Sequence, residues 1–190
     1  MTTNNKKFTI TPFHLCMVAF AICINFVGAQ IALVLRLPIF LDSIGTFFIA
    51  MVLGPVYGML PSLLSGLVTG LTTDIYSLYY APVGILLGLV TGLVFKKYKP
   101  KKWYILLAAL IITIPTTIVS SLITAGLFGG ITSSGNTYII QLLSKTPLGM
   151  VGSCFVVQFF MDYIDRVISI VAVTILMKAL PGSILGRFKK

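Results

Sequence analysis

The sequence predicts an all-α integral membrane protein: one transmembrane domain over residues 1–190, with six transmembrane helices and both termini cytoplasmic. Three observations lead to this fold class. Of 190 residues, 57% are hydrophobic and only 9% are charged, against about 25% charged in an average soluble protein. The mean hydropathy of +1.04 exceeds what the core of a single soluble domain of this size can absorb. The 14 Lys and Arg residues gather at the ends of apolar stretches. That placement suits topology signals and anionic-lipid contact rather than nucleic acid, despite a net charge of +10.

The elements follow in order. Thr11-Pro12 reads as a helix start, with Thr11 as N-cap and proline in the first turn. The first span covers about residues 13–35. It runs past the weak cleavage-site pattern Val27-Gly28-Ala29 and is too long for a usual signal sequence, so no cleavage is expected. A polar break at Arg36, Pro38 and Asp42 precedes a second span over 43–60 and a third over 61–76. A fourth runs over 82–95, then the basic loop Lys96–Lys102, then a fifth over 103–128. Several of these are short against the roughly 20 residues that a bilayer core requires. Turn chemistry at Gly129-Gly130 and Ser133–Asn136 opens an outer loop over 129–157 that carries a short helix. The last span covers 158–180 and stops before Pro181-Gly182; an outward extension of this helix is the alternative.

Placing the N-terminus inside puts Lys6, Lys7, the five lysines of the 96–102 loop, Arg187, Lys189 and Lys190 on one side. Ten of 14 basic residues are then cytoplasmic, with Arg36 and Lys145 outside. This positive-inside bias fixes the orientation, and the expected location is a bacterial plasma membrane, multi-pass. Small residues recur at i, i+4, i+8 in Ser62-Gly66-Gly70 and in Gly84-Gly88-Gly92, and more weakly in Ala19-x-x-x-Cys23. Such stripes let helix backbones approach closely in lipid, within the bundle or against a partner protein. The three cysteines, Cys16, Cys23 and Cys154, lie in apolar stretches and read as small packing residues rather than a disulfide framework.

Several chemistries are excluded. There is no P-loop, no H-E-x-x-H and no G-x-S-x-G elbow. A single histidine, His14, cannot build a His-rich metal site. Neither a catalytic residue nor a cofactor or metal is expected. What remains is polar groups toward the outer face. Gln158, Asp162 and Arg166 fall at i, i+4, i+8 along one helix face, beside Asp165. Ionisable groups at membrane depth are costly, so they pair or face a polar cavity. An internal Asp162–Arg166 pair and the wall of a ligand pocket are both compatible with the spacing. Asp74, Tyr76, Tyr79 and Tyr80 share one outer loop, where the rings form either an interfacial belt or a stacking surface for a flat ligand. Arg36, Asp42 and Asn136 occupy the other outer loops, and Asn25 and Gln30 are amides in the first span that need partners.

The runs LDSIGTFFIA at 41–50 and LGPVYG at 53–58 resemble the second-helix region of substrate-binding S components of energy-coupling factor (ECF) vitamin transporters. IDRVISI at 164–170, followed by KALP at 178–181, resembles the "DKxISV … LP" stretch of their last helix. The likeness extends over nearly the whole chain. It implies a six-helix protein that is not itself an enzyme. Such a protein binds one small water-soluble vitamin or precursor from outside and docks on a membrane T component carried by two cytoplasmic ATPases. The implied ligand-binding residues are Arg36, Asp42, Asp74, Tyr76, Tyr79, Tyr80, Asn136, Gln158, Asp162 and Arg166. The family docks through an A-x-x-x-A motif, for which Ala19-x-x-x-Cys23 is the nearest match; Gly66 and Gly70 are added as docking candidates. The best-fitting ligand is a pyridoxine- or hydroxymethylpyrimidine-like ring, with a cobalamin or queuosine precursor as the alternative. A reading of another class is a membrane-embedded enzyme using Asp162 and Asp165 as acid and base.

Overall fold

The structure is a computed structural model and describes residues 11–98 and 102–179. Lys6, Lys7, Lys99, Lys101, Arg187, Lys189 and Lys190, and the Leu180-Pro181 end of the last-helix motif, lie outside the described residues. Among the described residues there are eight helices and no strand. They are α1 (Pro12–Val34), α2 (Ile44–Leu53), α3 (Pro55–Thr72), α4 (Tyr76–Tyr79), α5 (Ala81–Lys97), α6 (Lys102–Phe128), α7 (Asn136–Leu143) and α8 (Gly149–Ala179). The protein is therefore all-α, and two helices, α1 and α6, are long and apolar enough to cross a membrane. Thr11 caps α1 by accepting the His14 N–H at 3.3 Å, with Pro12 in the first turn.

Three boundaries differ from the expected spans. The break between the second and third falls at Gly54, not at residues 60–61. Gly54 takes φ +95°, a conformation that glycine adopts without strain. Pro55 then opens α3, where its missing N–H is no loss. Pro61 sits inside α3 and does not end it. Next, α2 has only 10 residues, because the chain before it is not helical. Lastly, α8 begins at Gly149 and runs 31 residues, so the outward extension of the last helix is the form adopted. The expected short helix of the outer loop is α7, of eight residues.

The short α2 is the centre of the bundle. Gly45 to Ala50 are all buried, and Phe47, Phe48 and Ile49 pack with Leu87 of α5, Ile112 of α6 and Ile170 and Val173 of α8. Its start lies level with the middle of α1. A Cβ on Gly45 would strike the Ala21 backbone, and one on Gly28 would strike the Leu41 carbonyl. Nine residues of α1 separate Asn25 from the last residue, Val34, about 14 Å of helix. The loop 35–43 therefore descends into the bundle from its end and supplies the length that α2 lacks. Ser43 makes no side-chain cap of its own. Instead Asn25 of α1 accepts the Gly45 N–H at 2.8 Å and donates to Thr46 at 2.8 Å, and Thr46 bonds Ser62 of α3 at 2.7 Å.

The glycine stripe on α5 is an internal seam. Gly84 faces Ser62, Gly88 faces the Gly58 carbonyl, and Gly92 faces Pro55, so antiparallel α3 and α5 touch backbone to backbone. Gly66 and Gly70 do not share an outer docking face. Gly66 lines an internal cavity, and Gly70 lies against Leu78 beyond α3. By contrast, Ala19 and Cys23 are exposed on α1, as is Cys16; of the three free thiols only Cys154 is buried in packing. The seam is testable by paired substitutions. Gly88→Ala drives a methyl into the Gly58 backbone and should lower stability by about 1–3 kcal/mol. Gly66→Ala meets nothing nearer than the Ser77 carbonyl at 3.5 Å and should be neutral or gain up to about 1 kcal/mol of helix propensity. Thermal unfolding of the two purified variants measures the difference; equal melting would refute the seam.

Candidate functional site

A cavity of about 130 Å³ opens between α1, α3, α5, α6 and α8 at the end of the bundle from which the loop 35–43 descends. A single water needs about 10–15 Å³, so the cavity has room for a small organic molecule. Its inner part is polar: Asn25, Asp42, Ser120, Gln158, Asp162 and Arg166. Its walls are largely apolar, with Ala29, Leu33, Leu37 and Phe40 on one side and Val83 and Leu87 on the other. Toward the loop end it is bounded by Asp74, Ser77, Tyr80 and the loop residues Thr132 to Ser134.

The polar face of α8 is built as its four-residue spacing requires. Gln158, Asp162, Asp165, Arg166 and Ser169 are all buried. A hydroxyl stripe on α6 meets them. Ser120 donates to the Gln158 carbonyl at 2.9 Å, Gln158 donates to Thr124 at 2.6 Å, and Thr117 donates to Asp162 at 2.8 Å. Tyr80 bonds Thr124 at 2.5 Å, joining the cavity mouth to the same network. These α6 hydroxyls were absent from the candidates read from the sequence. The signal was present in the run 113–124, where Thr113, Thr116, Thr117, Ser120, Ser121 and Thr124 recur at helical spacing.

The ion pair is Arg166–Asp165, at 2.7 Å, and not the expected Asp162–Arg166 pair. Asp165 is fully buried and has both oxygens engaged. One accepts the Leu41 N–H at 3.0 Å, and the other accepts Ser43 at 3.0 Å and Arg166. Asp165 is thus the anchor of the descending loop. Asp162 is left with one oxygen on Thr117 and the other without a protein partner. The two carboxylates thus bond different partners, Asp162 to Thr117 and Asp165 to Leu41, Ser43 and Arg166.

Asp42 follows directly from this anchoring, since Leu41 and Ser43 on either side of it are tied to Asp165. Its side chain is exposed onto the cavity.

The remaining candidates divide between lining and scaffolding. Asp74 lines the cavity mouth and accepts Ser133 at 2.8 Å and Ser77 at 3.2 Å, tying two loops together. Of the three tyrosines only Tyr80 reaches the cavity. Tyr76 and Tyr79 pack edge-on against Phe128, at ring separations of 4.8 and 5.2 Å. Asn136 does not line the cavity but donates to the Pro38 carbonyl at 3.0 Å, holding the top of the descending loop. Arg36 takes φ +49° and sits exposed beside a second, more open depression of about 340 Å³ lined by Ile131 to Gly135, Thr137 and Tyr138. Gln30 bonds Thr73 at 2.8 Å. No protein family, curated protein or solved structure matches the chain.

The anchor predicts a stability effect. Arg166→Ala leaves Asp165 buried without its ion-pair partner, and Asp165→Ala leaves the Leu41 N–H unpaired and the buried guanidinium with Ser43 alone. Each should cost about 3–5 kcal/mol. Thermal unfolding measures the cost, and amide exchange at Leu41 should accelerate in Asp165→Ala; unchanged melting in both variants would show that the pair does not hold the loop.

Proposed function

We propose that the chain is a six-span bacterial membrane protein that binds a small water-soluble vitamin or precursor, acting as the S component of an ECF-type importer. The observation that carries this reading is a closed-sided cavity with a polar inner end, set inside a bundle whose outer surface is apolar. The distribution of side chains on α8 is inverted relative to a soluble helix. Its polar residues are buried, while Phe160, Ile164, Ile168, Val171 and Ile175 are exposed. The same holds on α1 and α6, where Phe20, Val34, Leu107 and Leu122 are more than half exposed. Such an extent of apolar surface suits lipid, not water.

With α2 only 10 residues long, about 15 Å, the second crossing is completed by the loop 35–43. Irregular backbone at membrane depth is tolerated where protein or a cavity satisfies it, and Asp165, Asn136 and Asn25 do so here. The mixed lining, apolar walls with a few polar groups at the inner end, supports a compact ring of the pyridoxine or hydroxymethylpyrimidine kind, with a cobalamin or queuosine precursor as the alternative. The exposed Ala19 and Cys23 on α1 support a docking face for the T component, with two ATPases supplying the hydrolysis for which this chain has no P-loop.

Titration calorimetry of the detergent-purified protein against water-soluble vitamins and precursors should give at least one ligand with submicromolar affinity. Tight binding of none of them would overturn the reading. Affinity purification from membranes should bring down one membrane partner and two ATPases; tight vitamin binding without those partners would leave a binding protein outside the ECF class.

A further inference from the structure

Resting on the ligand-binding reading above, we infer that the ligand is an organic cation: a small flat ring bearing a protonated or strongly hydrogen-bond-donating nitrogen, held between Asp42 and Asp162. The argument is one of charge balance. Asp42 and Asp162 line the inner cavity with no cationic side chain bonded to either. Arg166 is the one cation on the cavity wall among the described residues, and Asp165 already neutralises it at 2.7 Å. Asp74 adds a further carboxylate at the mouth. The start of α2 beside Asp42 offsets only part of this excess of carboxylate over cation.

In the empty cavity water solvates these carboxylates. A ligand that fills the cavity expels that water, and a desolvated carboxylate must then be paired or protonated. A cationic or amino-bearing ring supplies the missing charge and donors; a carboxylate or phosphate ligand adds to the excess. A metal ion is the poorer match, because no group of three His, Cys, Asp or Glu side chains is close enough to hold one among the described residues. The remaining contacts suit a flat ring. Tyr80 and Phe40 offer aromatic faces on the wall, and Gln158 offers an amide beside Asp162.

The test is calorimetry on the full-length protein with probes matched in size but not in charge. They are 4-amino-5-hydroxymethyl-2-methylpyrimidine and pyridoxamine as amines, pyridoxine as the uncharged comparison, and nicotinate and biotin as anions. The expected result is tightest binding by an amine probe. Asp42→Asn and Asp162→Asn should each weaken it about 10- to 100-fold, the range for losing one charge-assisted hydrogen bond. Both are isosteric, and unchanged melting of the ligand-free variants separates lost binding from lost folding. Tightest binding by nicotinate, biotin or pyridoxine, or full affinity in both variants, overturns the inference while the binding-protein reading stands. Binding of no probe and of no other vitamin overturns both.

Discussion

The Asp165 carboxylate is the constraint on which the rest of this structure depends. A fully buried carboxylate is among the most expensive groups a fold can hold unless each lone pair is used. Here every partner is local to one purpose. Arg166 balances its charge, and Leu41 and Ser43 bring the descending loop to it. That tether fixes where α2 begins, because Ser43 is its N-cap, and Ser43 also meets Ser169 at 3.1 Å. The start of α2 in turn sets the pairing of Asn25 with Gly45 and Thr46. The open volume left between the loop, α8 and α3 is the cavity. One buried ion therefore ties the loop, the ten-residue helix and the pocket wall together.

The polarity of the bundle follows the same logic from the outside. Hydrophobic burial alone would not place Thr117, Ser120, Thr124, Gln158 and Asp162 on facing sides of α6 and α8. Under the proposed membrane reading, a side-chain hydroxyl or amide finds no partner except another helix, so polar faces turn inward and pair. The backbone-to-backbone seam between α3 and α5 is the apolar counterpart. Where no polar pair is available, glycine removes the side chains altogether and gains contact area at close range. The polar pairs of α6 and α8 line one side of the cavity, and the glycine seam borders it at Ser62 and Gly84.

Much of this was legible in the sequence, and the parts that were not have identifiable reasons. The four-residue spacing of Gln158, Asp162 and Arg166 fixes a shared helix face whatever the tertiary fold, and they do share it around the cavity. Asp42 and Asp74 were legible as polar groups in loops near that face. Which aspartate pairs with Arg166 was not. The spacing rule concerns helix surfaces, whereas adjacent Asp165 reaches back because the loop presents Ser43 to both side chains. The Gly54 break was also hidden. A proline at 61 reads locally as a helix start, yet glycine's positive φ made the tighter turn, and the helix absorbed the proline. Tyr76, Tyr79 and Tyr80 look equivalent in one dimension. All three rings meet Phe128 across a single helical turn, Tyr76 and Tyr79 edge-on and Tyr80 tilted, and Tyr80 alone also lines the cavity.

Under the proposed transport role, the charge imbalance of the cavity bears on more than ligand choice. Charges held at membrane depth raise the cost of any movement that changes their surroundings. With the cavity empty, the inner carboxylates rely on water for solvation, and a rigid-body rotation in the bilayer would carry both charge and water with it. A bound cation brings the net charge of the cavity closer to zero and displaces that water. The loaded protein would then meet a lower electrostatic barrier to reorientation than the empty one. Differential stabilisation of one state by ligand is the only way a ligand biases a conformational equilibrium. In this chain that differential is built from Asp42 and Asp162, two carboxylates on which no side-chain cation is spent.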